Sequence, residues 1–505
     1  MDEVRFVDTT LRDGDQSLWG YRLTTGMILP VAAQMDQIGF EAIDVIGLSP
    51  FKLRVRQQKE EPWDRLRLLA KKITRTPLSV MGGVGIGGFG VAPRALIKLR
   101  TDVQAALGVN RVQLMDPTND MSFMIPDTIR FSHAAGLEVL IALIFSESPK
   151  HTDEYYAQKT REAVKLKPDR IYLKDPSGLL TPERVQTLIP AIQANSKGMT
   201  LELHSHCTTG QAPLCYLEAI KLGIRILHTG IPPLANGPAQ PSLFNVARNA
   251  CLMGYSTQID QAPARLVSRH FSTIAKREGL PPGIPLEYDY SQYLHQIPGG
   301  VISNLKRQLT EMKMQHRFED ILKESINVRK DLGYPIMVTP FSQHVVTQAT
   351  LNVILGKQYK EVPDEIIQYA TGYFGEEASR GVDPDVKNRI LDRPRAEELA
   401  RCERYEPSIE ELRRQIGEEG IPDDELLLRY IMGGQEELKA MRPAAPIREY
   451  PVYRTPLILL THELSKYANT RYISIKKGDF TLRLTSAADG TATAGAFPAA
   501  KHQEK

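Results

Sequence analysis

In the first half of the chain, apolar residues gather into short, mostly unbroken runs. Strands buried on both faces carry that pattern, because neither face meets water. The runs predict strands over Arg5–Thr10, Glu41–Gly47, Leu78–Val84, Arg111–Pro117, Glu138–Phe145, Arg170–Pro176, Thr200–His206 and Arg225–Ile231. Amphipathic stretches between them, such as Thr25–Ile38 and Ala95–Ala106, predict helices. Strand-then-helix units repeated in this way predict an α/β fold, a (β/α)8 TIM barrel. A doubly wound open sheet is the rival. It is disfavoured because no Gly-x-Gly-x-x-Gly follows the first strand, and the glycines of Gly82–Gly90 come after the third in a looser pattern.

From about Asn249 the apolar period becomes helical. Ala262–Arg277, Ser303–Glu311, Arg317–Asp331, Ser342–Leu355 and Asp364–Gly372 predict helices joined by Pro/Gly turns. Glu406–Met441 is charged and helical, Pro456–Tyr467 predicts a further helix, and Tyr472–Leu484 predicts a hairpin turning at Lys-Lys-Gly-Asp. The expected organisation is a barrel domain over 1–255 and a C-terminal α-helical domain over 256–400. A small α+β end piece over 401–485 and a mobile Ala/Gly/Thr-rich tail over 486–505 follow.

Composition narrows the class without naming an activity. The 505 residues are 42% hydrophobic and 24% charged, within the range of folded globular chains. Lys and Arg total 63 against 60 Asp and Glu, which gives no support for a nucleic-acid or membrane surface. No apolar run reaches the ~18 residues of a membrane helix, and the first residues lack a signal-peptide pattern, so the cytoplasm is the expected location. Cys207, Cys215, Cys251 and Cys402 form no Cys-x-x-Cys pair, so neither a disulfide scaffold nor a zinc ribbon is indicated.

Candidate chemistry gathers at the C-terminal ends of the predicted strands, where barrels build their active sites. Asp13 lies just past the first strand, Lys174 ends the sixth, and His204 and His206 end the seventh. Residues i and i+2 of a strand face the same way, so both imidazoles can reach one ion. Two imidazoles and a carboxylate suit Zn, Mn, Co or Fe. Such an ion acts as a Lewis acid on a substrate carbonyl. The alternative is a pair of packing histidines. Lys174 beside a cation is expected to lose its proton, and a neutral amine can add CO2 as a carbamate; on the residues alone a lysine paired with Asp175 is the favoured reading. Arg12 and Gln16 are candidates to stabilise an enolate oxygen, or else decorate a helix start.

These residues lie in stretches that resemble a known family. Asp8-Thr-Thr-Leu-Arg-Asp-Gly-Asp-Gln-Ser-Leu, Lys174-Asp-Pro-Ser-Gly-Leu-Leu-Thr-Pro and His204-Ser-His-Cys-Thr-Thr-Gly resemble the carboxyltransferase domain of biotin-dependent enzymes. These include pyruvate carboxylase, the oxaloacetate decarboxylase α subunit and the transcarboxylase, within a wider family of metal-dependent barrel lyases and aldolases. Ile297-Pro-Gly-Gly-Val-Ile-Ser-Asn-Leu, Pro335-Ile-Met-Val-Thr-Pro-Phe-Ser-Gln, Gln348-Ala-Thr-Leu-Asn-Val, Gly372-Tyr-Phe-Gly and Val382-Asp-Pro are similar to the helical domain that follows the barrel in these carboxylases. The wider lyases lack that region. The resemblance implies a divalent metal (Zn, Mn or Co) on Asp13, carbamylated Lys174, His204 and His206. It also implies a small acyl or oxo-acid substrate and a homo-oligomer, a dimer or larger.

The departures from the family pattern bear on substrate. Where typical members carry an arginine that grips the carboxylate of pyruvate, this chain has Met81, which makes no bidentate bond to a carboxylate. Where they carry a proton-shuttling threonine, it has Pro238, near Gln240. Ser242 or Thr229 are the replacements to consider. Gly14-Asp15 stands for the usual Ala-His, with Asp15 expected on an exposed loop. Cys207 is expected to be a small buried group. Asn119 and Asp120 are expected at the substrate site, shaping its floor. Glu311-Met-Lys-Met has the look of a biotinylation tetrapeptide, but Lys313 falls in a helical stretch and is expected on a helix surface. Biotin, if used, is therefore expected on a separate carrier or carboxylase subunit. The leading expectation is a metal-dependent carboxyltransferase or decarboxylase subunit with an altered acyl pocket. A biotin-independent lyase or aldolase and a non-catalytic scaffold subunit are the alternatives.

Overall fold

The computed structural model describes residues 2–47, 51–83, 85, 90–401, 404–416, 420–441, 447–451, 460, 464, 472–477, 480–486 and 492–498. Eight parallel strands close into a barrel in sequence order: β1 Arg5–Asp8, β2 Ala42–Ile46, β3 Leu78–Gly83, β4 Arg111–Met115, β5 Glu138–Ile144, β6 Arg170–Asp175, β7 Leu201–Ser205 and β8 Ile226–Thr229. β1 closes on β8 with Val7 opposite His228 and Asp8 opposite Thr229. Each strand lies inside its predicted run. The predicted helix Thr25–Ile38 is two short helices, Thr25–Ile28 and Ala32–Met35, because Pro30 between them has no N–H to donate.

Register fixes what fills the barrel. Tyr172 is opposite Glu202 and Lys174 opposite His204, so these side chains share the inner face. His206, two residues on from His204, continues that face. Thr229 alternates with His228 and faces the surrounding helices, which removes it as a proton carrier at the mouth. The interior is unusually polar towards β1, β2, β7 and β8, whereas Leu140, Ala142, Ile144 and Tyr172 form an apolar cluster on the opposite side.

The post-barrel helices reach back over the mouth. Gln261–Glu278, Gly299–Glu311, Phe318–Asp331, Phe341–Leu355 and Asp364–Thr371 match their predicted spans closely. Gly372, at φ +86°, ends the last one in the left-handed conformation that glycine tolerates. Ile336 and Val338, between two of these helices, join the apolar cluster of β5 and β6 inside the barrel. Further upstream, the Gly283 amide donates to the Pro233 carbonyl at 2.8 Å. A Cβ at Gly283 would lie 2.0 Å from the Ala235 oxygen, so only glycine fits there. Lys313 stands just past the Gly299–Glu311 helix at φ +58°, in a turn between helices rather than on the helix surface.

The chain divides into two compact units, Met1–Arg448 and Glu449–Lys505. Glu406–Met441, expected in the end piece, packs on the barrel. It is helical as expected, in three segments, Ile409–Ile416, Asp423–Met432 and Glu436–Met441. The Trp63 indole donates to the Asp424 carbonyl, and Arg56 makes a bidentate pair with Glu437. In the second unit, β9 Tyr472–Lys477 and β10 Phe480–Ser486 form the predicted hairpin. The tail expected to be mobile contributes a third strand, β11 Ala492–Pro498, antiparallel to β10. Small residues conceal strand propensity, and pairing along all seven residues of β10 supplies what the side chains lack. The predicted helix Pro456–Tyr467 lies almost wholly outside the described residues.

Candidate metal centre and active site

β1 runs directly into a helical segment with π-type turns, Thr10–Trp19. That turn places Asp13 over the barrel axis and seats Gly14 against the β8 loop, where a Cβ would lie 2.5 Å from the Leu234 oxygen. Asp13 Oδ2 lies 3.2 Å from His204 Nε2 and 3.5 Å from His206 Nε2, and the two Nε2 atoms are 3.3 Å apart. All three residues are buried, and their ligand atoms fall within 4.8 Å of one another. The sequence-predicted trio is therefore one cluster.

The protons of the two imidazoles are placed by their other nitrogens. His206 Nδ1 donates to the Pro238 carbonyl at 2.6 Å, which leaves Nε2 as a lone pair facing Asp13. His204 Nδ1 lies 3.1 Å from His228 Nδ1, and His228 Nε2 is 2.9 Å from Glu202 Oε2. Gln240 Nε2 sits 3.2 Å from His204 Nε2, and Gln240 Oε1 accepts from the Thr9 hydroxyl. A carboxylate and two imidazole lone pairs converging without shared protons form an acceptor-only set, and a divalent cation satisfies it.

Charge around the cluster is arranged in the same sense. Burial alone would raise the Asp13 carboxyl, but the adjacent Arg12 guanidinium outweighs it and holds Asp13 well below the usual carboxylate range. Burial dominates at His204 and, with the neighbouring Lys174 charge, keeps that imidazole neutral. Arg12 Nη1 pairs with Asp13 at 3.0 Å and its Nε with Asp44 at 2.7 Å. Its Nη2 is buried without a protein partner. Arg12 is thus held from two sides with one donor left over.

Lys174 is fully enclosed, and burial, with Arg12 nearby, lowers its ammonium to about 8. Its Nζ lies 3.6 Å from Met81 Sδ. Asp175 is not its partner: that carboxylate accepts from the Leu179 and Leu180 amides and the Ser205 hydroxyl. Met81 therefore packs directly on the lysine.

Other expected site residues lie elsewhere. Asn119 Oδ1 accepts from the Ile144 amide and its Nδ2 donates to the Ile144 carbonyl, both at 2.9 Å, so it fastens the β4 loop to β5. Asp120 accepts from Ser122 and from the Glu377 amide, towards the helix Glu376–Arg380. Both side chains thus hold backbone groups of neighbouring elements. Gln16 is exposed, three residues beyond Asp13. Asp15 is buried rather than on an open loop; it accepts from the Leu23 amide and lies 3.6 Å from Arg54, while burial raises its carboxyl to about 6. Cys207 is buried among groups that push its thiol well up, which suits a packing role. Sequence reasoning missed Asp44, His228 and Glu202. Part of the signal was present: Asp44 is the lone polar residue of β2, and Glu202 lies two residues before His204 on the same face of β7.

A closed barrel with Asp, His and His converging at its strand ends defines a metal-dependent barrel of the lyase and carboxyltransferase class. Residues 3–268 match the HMGL-like family model, and residues 293–462 match the conserved carboxylase domain. The chain belongs to the HMGL-like family and, within it, to the branch of the pyruvate carboxylase B subunits. It is 32% identical over 443 residues to the pyruvate carboxylase B subunit of Methanocaldococcus jannaschii, covering 87% of this chain and 78% of that one. It is 29% identical over 445 residues to the 2-oxoglutarate carboxylase large subunit of Hydrogenobacter thermophilus, covering 85% of this chain and 67% of that one. The carboxyl transferase domain of Rhizobium etli pyruvate carboxylase, solved with pyruvate, shares the fold at a TM-score of 0.80 and 20% identity, over 99% of this chain and 88% of that one.

Proposed function

We propose that this chain is the carboxyltransferase subunit of a biotin-dependent enzyme. It moves a carboxyl group between biotin borne on a separate carrier subunit and a small acyl or oxo-acid acceptor at the barrel mouth. The observation that supports this most is the acceptor-only cluster of Asp13, His204 and His206 beside an enclosed Lys174. It occurs in a chain that matches pyruvate carboxylase relatives through both the barrel and the carboxylase domain.

Asp13, His204 and His206 would hold a Zn, Mn or Co ion, with Lys174 as a fourth ligand once its neutral amine has added CO2 and lost a proton. A divalent ion there supplies Lewis-acid polarisation of a substrate carbonyl. The remaining work falls to the chain. Arg12, oriented by Asp13 and Asp44, offers its unused Nη2 to an oxygen on which negative charge develops. The buried wall of Ile336 and Val338 keeps water from that part of the barrel.

On this reading the acceptor is not gripped by a guanidinium at β3, and the contact of Met81 with Lys174 supports it. An acceptor with an apolar group at this position suits the thioether. Pro238 has no hydroxyl to carry a proton, and its contribution is the carbonyl that orients His206.

The test uses the full chain loaded with Zn or Mn, free biotin as the acceptor of CO2, and a panel of carboxylated oxo acids and acyl-CoA thioesters. Biotin-dependent decarboxylation of one member, lost in His204→Ala together with the bound metal, is the expected result. Cleavage that ignores biotin would replace this reading with a biotin-independent lyase on the same cluster.

A further inference from the structure

Glu202, His228 and His204 stand in line across the barrel interior, all completely buried. Glu202 accepts from the Arg111 and Arg170 guanidiniums and from His228 Nε2. Two arginines on one carboxylate keep it ionised, and an ionised carboxylate only accepts. His228 Nε2 must therefore carry a proton. Stacking on Tyr172, at 5.9 Å between centroids and 7° between planes, holds the His228 ring in that orientation.

The consequence passes on to His204. With its proton on Nε2, neutral His228 presents Nδ1 as an acceptor, 3.1 Å from His204 Nδ1. His204 then donates from Nδ1 and leaves Nε2 bare, towards Asp13 and His206. The opposite arrangement would put the His204 proton on Nε2, in the middle of the cluster. We propose that His228 and Glu202 are positioning residues that lock His204 in its metal-ligating tautomer. The proton order runs from the arginine-held carboxylate, through a second histidine, to the ligand.

This inference rests on the metal reading of Asp13, His204 and His206. It adds that the lock reaches the salt-bridge layer at the other end of the barrel. There Arg170 also pairs with Glu41 at 2.7 Å and Glu138 at 2.6 Å. Ligand histidines are commonly oriented by a direct carboxylate, and loss of such a partner costs about 10–100-fold in metal affinity. Here an imidazole is interposed. His206 achieves the same end with a backbone carbonyl, so the two ligands are locked by independent means.

The experiment is Zn titration of the metal-free full chain, comparing wild type, His228→Leu and His228→Gln. His228→Leu removes the acceptor for His204 Nδ1, and its Zn affinity should fall by about 10–100-fold. His228→Gln restores an acceptor oxygen and should recover most of that loss; a merely structural role would not distinguish the two variants. Cobalt substitution adds a spectroscopic readout, since a misoriented ligand shifts the visible absorption of bound Co. Equal Zn affinity in wild type and His228→Leu would overturn the relay while leaving the metal site intact. A wild-type chain that binds no Zn, Mn or Co would overturn the site itself. Should His228→Leu fail to fold, 15N-histidine NMR of the metal-free wild type decides the matter. A proton on His204 Nδ1 is expected, and one on Nε2 would refute the lock.

Discussion

Lys174 sits in a buried pocket beside the Met81 thioether and the Tyr172 ring face, with no carboxylate in ion-pair range among the described residues. Its ammonium is lowered to about 8 from 10.5, first by burial and then by Arg12. The folded chain therefore releases this proton near pH 8, while the unfolded chain keeps it up to about 10.5. Between those values the unfolded state binds more protons, so stability of the metal-free, bicarbonate-free protein rises with pH across that window. In Lys174→Met this contribution to the slope should vanish, as read from melting temperatures at pH 8 to 10. The same neutral amine should make activation by bicarbonate grow as pH passes 8, and activity indifferent to bicarbonate would count against a carbamate. The residue types of this site were legible in the sequence, because Lys174, His204 and His206 lie at the ends of β6 and β7 and Asp13 lies in the turn that follows β1. Their supports were not. Asp44, His228 and Glu202 act through pairings across strands, and linear spacing does not report which side chains share a layer.

At the scale of elements, the strands were legible because both of their faces are buried, and helix ends were legible where Gly or Pro marks them. What the β4 loop does was not. Asn119, at φ +59°, spends both ends of its amide on Ile144 and so ties the β4 loop to β5. Asn119→Ala should leave a buried backbone donor and acceptor unsatisfied, at about 1–3 kcal/mol each. The expected outcome is a lower melting temperature with KM nearly unchanged; a large rise in KM at full stability would return Asn119 to the substrate site. Asp15 teaches the same lesson from the opposite side. Its acidic character suggested solvent, whereas the turn from β1 carries it inward to the Leu23 amide and Arg54.

At the scale of the molecule, the barrel and helical domain followed from the change in apolar period near residue 250, but the limit of the first unit did not. Charged helices read as exposed, yet Leu426, Leu427, Leu428 and Ile431 are buried and Trp63 is capped from Asp424. A chain ending at Arg448 should melt cooperatively and retain metal binding. One ending near residue 400 should lose stability, because the apolar surface around Trp63 would be laid bare. Calorimetry of the two truncations checks this, and equal melting temperatures would refute it.

Gly283 has a consequence for how such a protein is recombined. It lies between the two family-matched stretches, in what reads as linker, yet its amide and its missing side chain clamp the loop whose next turn holds His206. Ile336 and Val338 likewise furnish part of the barrel's own interior from the far side of that linker. A chimera that exchanges the barrel as a cassette at residue 268 would pair each active-site loop with a foreign clasp. Crossovers that carry residues through 290 along with the barrel keep the clasp with its loop, and ancestral exchange between members of this family is expected to have respected the same seam.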